Sequence, residues 1–323
     1  MRAVHFLRRR QEERELIFWL SLVAYDHRDR SITNRLYLLY LIIFFSGWIF
    51  ITLTLFASGG AILLEWLNPA DGAQVALDLE IGVLLAWTLY ALWQSLKRCP
   101  LVFSRQDAAL LCQTPVPRQY VTLRWLLMPW FKNAIIFWLI SIVLGFSYAE
   151  TILPEFTGFE RVLEYSTFGL RSLIVVVPVH LVLFALKWVL GVYRLQKDHN
   201  RRWLVWLVLS VTFVFASIFI IYSIDGSGPL GFVANSIIDI LAFPLQAGFG
   251  MESLSLSLLS SCLMAMVIFV ILYQLSGDFN LTRAAQETQE YSTVTAMMRY
   301  GLTTEAANLQ VEKRLGVGRK PAR

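Results

Sequence analysis

Apolar residues in this chain come in long runs, and the charges fall between them. Six runs are long enough to cross a bilayer: Leu36–Ala57, Ala76–Leu96, Trp125–Phe146, Phe168–Leu190, Trp203–Ser223 and Leu254–Leu275. A spanning helix needs about 20 predominantly apolar residues. Inside hydrocarbon every backbone N–H and C=O must be paired within the segment, so these runs are expected to be helices. The alternation of a transmembrane barrel strand is absent. The expected fold is all-α: a polytopic membrane protein with a six-helix domain over residues 36–275, preceded by residues 1–35 and followed by a tail over 276–323.

The flanks carry weaker patterns. Arg8, Arg9 and Arg10 precede Leu16-Ile17-Phe18-Trp19-Leu20, with Glu12, Glu13 and Glu15 between them and Asp26-His27-Arg28-Asp29-Arg30 after. A signal peptide would keep acids out of that junction, so an amphipathic helix lying in the cytoplasmic interface is the better reading. Residues 226–252 are partly apolar but punctuated by Gly226, Gly228, Pro229, Gly231, Gly248 and Gly250. They are expected to be too short to span, forming either an interfacial or re-entrant helix or a packed outer loop. In the tail, Asp278 is expected to cap a helix running to Tyr300 and ended by Gly301. A second short helix is expected over Thr303–Leu315.

Charge placement sets the orientation. The N-terminal stretch, the loop after the second run, the loop after the fourth and the tail hold nearly all the Lys and Arg. The opposite loops hold Arg161 among Glu65, Asp71, Glu150, Glu155, Glu160 and Glu164. Positive residues stay inside, so both termini are expected in the cytoplasm, in a plasma (inner) membrane, which agrees with an even number of crossings. The net charge of +5 follows from this bias and is no nucleic-acid footprint. Hydrophobic residues at 57% and charged residues at 16% fit the same class, against about 45–50% and 25% in soluble domains. Cys99, Cys112 and Cys262 form no disulfide or zinc pattern, and no metal or cofactor is expected. There is no Gly-x-x-x-x-Gly-Lys-[Ser/Thr] run, no His-Glu-x-x-His and no Gly-x-Ser-x-Gly, so no catalytic residue is assigned.

Ionisable residues in or near the runs are functional candidates by default. Asp78 and Glu80 sit at the outer end of the second run and read first as boundary charges. Arg171 is expected to pair with Glu164 or with those acids. His180, after Pro178, is the deepest, and Lys187 follows it seven residues on, nearly two turns along the same face. His180 reads first as a bundle residue, and Lys187 can snorkel to the cytoplasm.

The cytoplasmic segment Cys99–Arg124 is the most informative. Ser104 with Asp107 resembles a capping box, and Ala108–Cys112 continues a short helix. Thr114-Pro115 breaks it, and Pro117 can open the next helix, led into the membrane by Arg118, Tyr120 and Arg124. Such a part can carry force from a cytoplasmic partner into a bundle; it can equally be a plain connector.

The arrangement Arg105-x-Asp107-Ala108-x-Leu110-Leu111, with Pro115, Val116 and Arg118 after it, resembles the cytoplasmic segment of permease subunits of ABC-2-type exporters, nearest the Ecs-like and putative exporter branch. The N-terminal Phe18-Trp19-Leu20 with Tyr25-Asp26-His27-Arg28, and Asp278-Phe279-Asn280 in the tail, are similar to that branch too. The resemblance implies the membrane half of an exporter with a separate ATPase docked on Arg105, Asp107, Leu110, Leu111, Pro115 and Arg118. Members are often longer, with a second membrane half after a basic, proline-containing linker like Gly318-Arg319-Lys320-Pro321-Ala322-Arg323. The chain is therefore expected to work as a homodimer or beside a second half. The rival reading is a membrane assembly or regulatory factor that binds a cytoplasmic partner through the same parts.

Overall fold

The structure is a computed structural model. It describes residues 9, 13, 16–18, 20–26, 29, 31–68, 71–101, 103, 116–152, 159–196, 201–224, 229–278 and 280–299. Its elements are α1 (Ile32–Leu67), α2 (Gly72–Lys97), α3 (Arg118–Ile152), α4 (Phe159–Arg194), α5 (Arg201–Ile224), α6 (Pro229–Gln246), a 3-10 turn (Ala247–Phe249), α7 (Leu254–Leu275) and α8 (Leu281–Arg299). No strand occurs among the described residues. Each of the six apolar runs lies within a helix. The segment Cys99–Arg124 is described only at its edges.

Local chemistry starts several of these helices. The Ser31 side chain accepts from the Asn34 N–H, that of Asp71 from the Gln74 N–H, and that of Asn280 from the Arg283 N–H. Each satisfies one of the four donors a helix N-terminus leaves open. The tail helix is thus capped by Asn280 and not by Asp278, because Asn280 stands immediately before the first helical residue. The predicted helix end at Gly301 and the second tail helix lie outside the described residues.

Seven helices among the described residues are long and apolar enough to cross a membrane. The seventh is Gly231–Phe249, whose 19 residues have the length that the sequence reading denied them. Glycines at 226 and 228 precede the helix, and those at 248 and 250 fall at its end, so they bound the run and do not break it. Among the described glycines Gly250 alone requires glycine's freedom, closing the 3-10 turn at φ 76°.

α3 and α4 form the centre of the bundle, with α1 against α3, α2 and α7 against α4, and α5 and α6 at the side. Small residues let the central pair close up. A Cβ on Gly145 of α3 would lie 2.8 Å from the Phe168 carbonyl oxygen of α4. Gly169 receives the Phe146 ring in the same way, and Gly60 of α1 receives Ser147. Lipid tails give no hydrophobic drive to helix association, so such close approach supplies the dispersion contact that holds helices together.

The bundle has two ends. At the tail end, Leu101, Phe103, Val121, Trp125, Trp188, Leu195, Leu272 and Ala284 share one buried cluster. At the other end, Leu64, Ala73, Ala76, Leu77, Val175, Ala242, Leu245 and Phe249 share a second. α6 starts five residues after α5 ends at Ile224, and its last residues join the second cluster. The turn after it stays there too: Ser172 donates to the Gly248 carbonyl at 3.3 Å, and the Phe249 ring meets Tyr148.

Candidate coupling platform and membrane seam

At the tail end the polar groups form a clamp. Arg194, the last residue of α4, is 3% exposed. Its guanidinium donates to the Leu96 carbonyl at 3.1 Å, at the end of α2, and to the Glu287 carboxylate of α8 at 2.5 Å. Arg283 also reaches Glu287, at 3.6 Å. Thr288 donates to the Leu101 carbonyl at 2.8 Å, and Arg98 both stacks over the Tyr291 ring and donates to its hydroxyl at 3.0 Å. The Asn280 N–H reaches the Leu195 carbonyl, and Gln196 reaches that of Leu275. Apart from the Arg283 contact, each bond joins residues far apart in sequence. Together they lay α8 across the ends of α2, α4 and α7.

The 104–115 segment leaves from this clamp and returns to it. Leu101 and Phe103 are buried before it; Val116 packs on the same cluster after it, followed by Val121, Trp125 and Leu126 of α3. Pro100 lies against Gly191 of α4, where a Cβ would be 2.6 Å from the proline ring. Cys99 packs here as well, and burial pushes its thiol up to about 12. Of the docking candidates, Arg118 is described: it is exposed and its guanidinium lies 3.5 Å from the Gly277 carbonyl. Arg105, Asp107, Leu110, Leu111 and Pro115 lie outside the described residues.

The seam between α2, α3 and α4 holds the deep polar candidates. Glu80 is 2% exposed, and the Ser141 hydroxyl of α3 donates to it at 2.6 Å. It is an interior residue, not the boundary charge expected, because α2 begins only at Gly72 and turns position 80 inward. Asp78, two residues earlier, faces away. It accepts from Gln74 at 3.0 Å and from the Tyr222 hydroxyl of α5 at 2.9 Å, tying α5 to α2. His180 is 0% exposed and surrounded by rings, with Trp87 at 4.7 Å, Phe137 at 4.9 Å and Phe184 at 6.2 Å between centroids. Neither of its nitrogens has a hydrogen-bond partner among the described residues. Lys187 lies over the far side of Phe184, its Nζ 5.5 Å from the ring centroid, on the face the seven-residue spacing indicates. Arg171 forms no ion pair among the described residues. The expected pairing with Glu164 or the α2 acids does not occur, and its guanidinium rests beside Gly250 instead.

Sequence reasoning missed Ser141, Arg194 and Glu287. Glu80 had a readable signal. It stands on the stripe Ala76, Glu80, Leu84, Thr88, Ala91 and Ser95, spaced three and four apart and rich in small residues, which marks a packed helix face. Arg194 and Glu287 are 93 residues apart, and no local pattern joins them. No group of three or more possible metal ligands occurs among the described residues. The arrangement offers a hydrogen-bonded platform at one end and a buried polar seam within. No protein-family model, no curated protein and no solved structure matches the chain.

Proposed function

We propose that this chain is the membrane-spanning permease subunit of an ATP-driven, ABC-2-type exporter, moved by a separate ATPase that docks on the 104–115 segment. One observation carries the reading: residues on both sides of that segment root in the single buried cluster that also contains the ends of α4 and α7 and the start of α8. A push on the segment is thereby delivered to the core of the bundle and not to a loose loop. The same cluster continues inward from Trp188 to Phe184 and from Phe184 to Trp87, and the last two rings adjoin His180. The resemblance of Arg105-x-Asp107-Ala108-x-Leu110-Leu111 to exporter coupling segments supplies the class of partner.

The topology that goes with this has six crossings. What supports this reading is that α6 follows five residues after α5 ends at Ile224 and the turn after it meets Ser172 and Tyr148, so that on this reading it enters and leaves on the side away from α8. With α6 not crossing, residues 31 and 276 fall on the same side, the cytoplasmic one by the distribution of Lys and Arg. The N-terminal half of α1 bears no buried residue, which leaves a flank for a second copy or a second membrane half.

The test is co-purification. The tagged chain, solubilised from its own membranes, should carry an ABC-type ATPase identifiable by mass spectrometry. The double charge reversal Arg105→Glu with Asp107→Lys should lose it while the chain keeps its gel-filtration profile. An intact complex after the reversal, or no ATPase with the unaltered chain, rejects the docking assignment.

A further inference from the structure

The coupling reading leaves one buried ionisable group unused. Glu80 is 2% exposed, and its helix neighbours Ala76, Leu77, Ile81 and Leu84 are buried in one apolar cluster that also contains Phe137 of α3 and Val176 of α4. Its single hydrogen-bond partner among the described residues is Ser141. No cation meets it. On α2, Asp78 is turned to Tyr222. On α3, Lys132 and Tyr148 make no hydrogen bond or ion pair with it, nor do Arg171, His180 or Lys187 of α4, Tyr222 of α5 or Asp239 of α6. An ionised carboxylate in such a place lacks both water and a counter-charge, and one hydroxyl cannot replace them. The packing around it is apolar and close, so the occupant that needs no room is a proton.

We propose that Glu80, with Ser141, is a proton-binding site inside the membrane domain, loaded when the α2–α3 seam is closed and emptied when it opens. The inference rests on the membrane reading and not on the ATPase. In the closed seam the carboxyl carries its proton, and the Ser141 hydroxyl donates to its other oxygen. Opening admits water, the carboxyl O–H bond breaks, the proton passes to water and the carboxylate remains; closing takes one proton back. The direction follows from linkage: a step that releases a proton is favoured as pH rises, by at most about tenfold per pH unit for one proton. High pH thus opens the seam, and Glu80→Gln, a neutral stand-in for the loaded state, holds it closed.

The test uses the isolated chain in nanodiscs without an ATPase, so its failure does not touch the docking assignment. Ala76→Cys, one turn from Glu80, reports the seam in a background whose three native cysteines are replaced by alanine. Its labelling by a water-soluble methanethiosulfonate is compared with the same reporter carrying Glu80→Gln, which cancels the thiol's own response to pH. The ratio should rise with pH, and Glu80→Asp should keep the rise. In parallel, a hydrophobic carbodiimide, which adds to protonated carboxyls, should label Glu80 of the unaltered protein, and less so as pH rises. A ratio flat in pH, or no carbodiimide adduct at Glu80 at any pH, overturns the proposal. If the Gln variant does not fold, the carbodiimide arm decides alone.

Discussion

Arg194 and His180 are both buried and both ionisable, yet they ask for opposite experiments. Arg194 is engaged through both terminal nitrogens, holding a carbonyl at the end of α2 and the α8 carboxylate, while its Nε has no partner among the described residues. Removing one partner of a buried pair strands the other, at about 3–5 kcal/mol. Arg194→Met should therefore lower the thermal midpoint sharply, and pairing it with Glu287→Leu should recover much of the loss; a double variant no better than the single would contradict this. His180 is packed among rings, and among the described residues its two nitrogens have no hydrogen-bond partner. A buried polar group without a partner can be replaced by an apolar one of similar shape at little cost or with gain. His180→Phe should unfold at the same temperature or higher, and a clear drop would show that the imidazole has polar work to do. At the foot of α1, Asp29 accepts from the Ser31 N–H and hydroxyl, both at 2.9 Å, and these bonds hold its carboxyl below the usual carboxylate range. A depressed carboxyl stabilises the fold at pH above its unfolded value and ceases to as pH falls through its folded one. The turn should loosen only below about pH 4, and Ser31→Ala should raise the Asp29 midpoint in an NMR titration.

Helices were legible in the sequence; their ends and their inward faces were less so. Hydropathy marks the part of a helix that lies in hydrocarbon, so α1, α3 and α4, with 36, 35 and 36 residues, outrun the segments read for them. Asp78 and Glu80 looked alike because both sit near a helix start. The difference lies in a turn of about 200° between them, which only the stripe of small residues discloses. The α8 clamp was illegible because its bonds join positions up to 193 apart. Two element-scale outcomes follow. A Cβ at Gly145 would press on the backbone of α4, which cannot step aside, so Gly145→Val should cost about 1–3 kcal/mol or more in stability, read by thermal unfolding in detergent. Cys99 should label with maleimide at pH 8 on the order of a thousandfold more slowly than an ordinary thiol, as a midpoint near 12 requires. Stopping the chain after Gly277 removes α8 and should restore the reaction. Fast labelling of the intact chain would mean that the clamp is open.

For the whole molecule, the sidedness of the helix ends is the measurable quantity. Cysteines placed at Asn68 and Glu252 should react with a membrane-impermeant reagent from outside, and those at Arg98 and Gln289 only after the membrane is breached. Reaction of Glu252→Cys only from inside would mean that α6 crosses, and would replace six crossings by seven. The expected orientation comes from the alternation of basic and acidic loops along the chain, whereas the proposed place of α6 comes from its short connection to α5 and the contacts of the turn after it.

The long helices have one more consequence. At 1.5 Å per residue, α1, α3 and α4 are each about 53 Å long, while the hydrocarbon of a typical bilayer is about 30 Å thick. About 20 Å of each rod must project or be absorbed by tilt. Bilayer thickness then becomes a control variable: longer acyl chains should draw the rods upright, and shorter ones should lean them over. Because α3 begins directly after the 104–115 segment, its tilt sets how far that segment stands from the surface. The same chain should therefore answer differently to lipids of different length, with no change in its sequence.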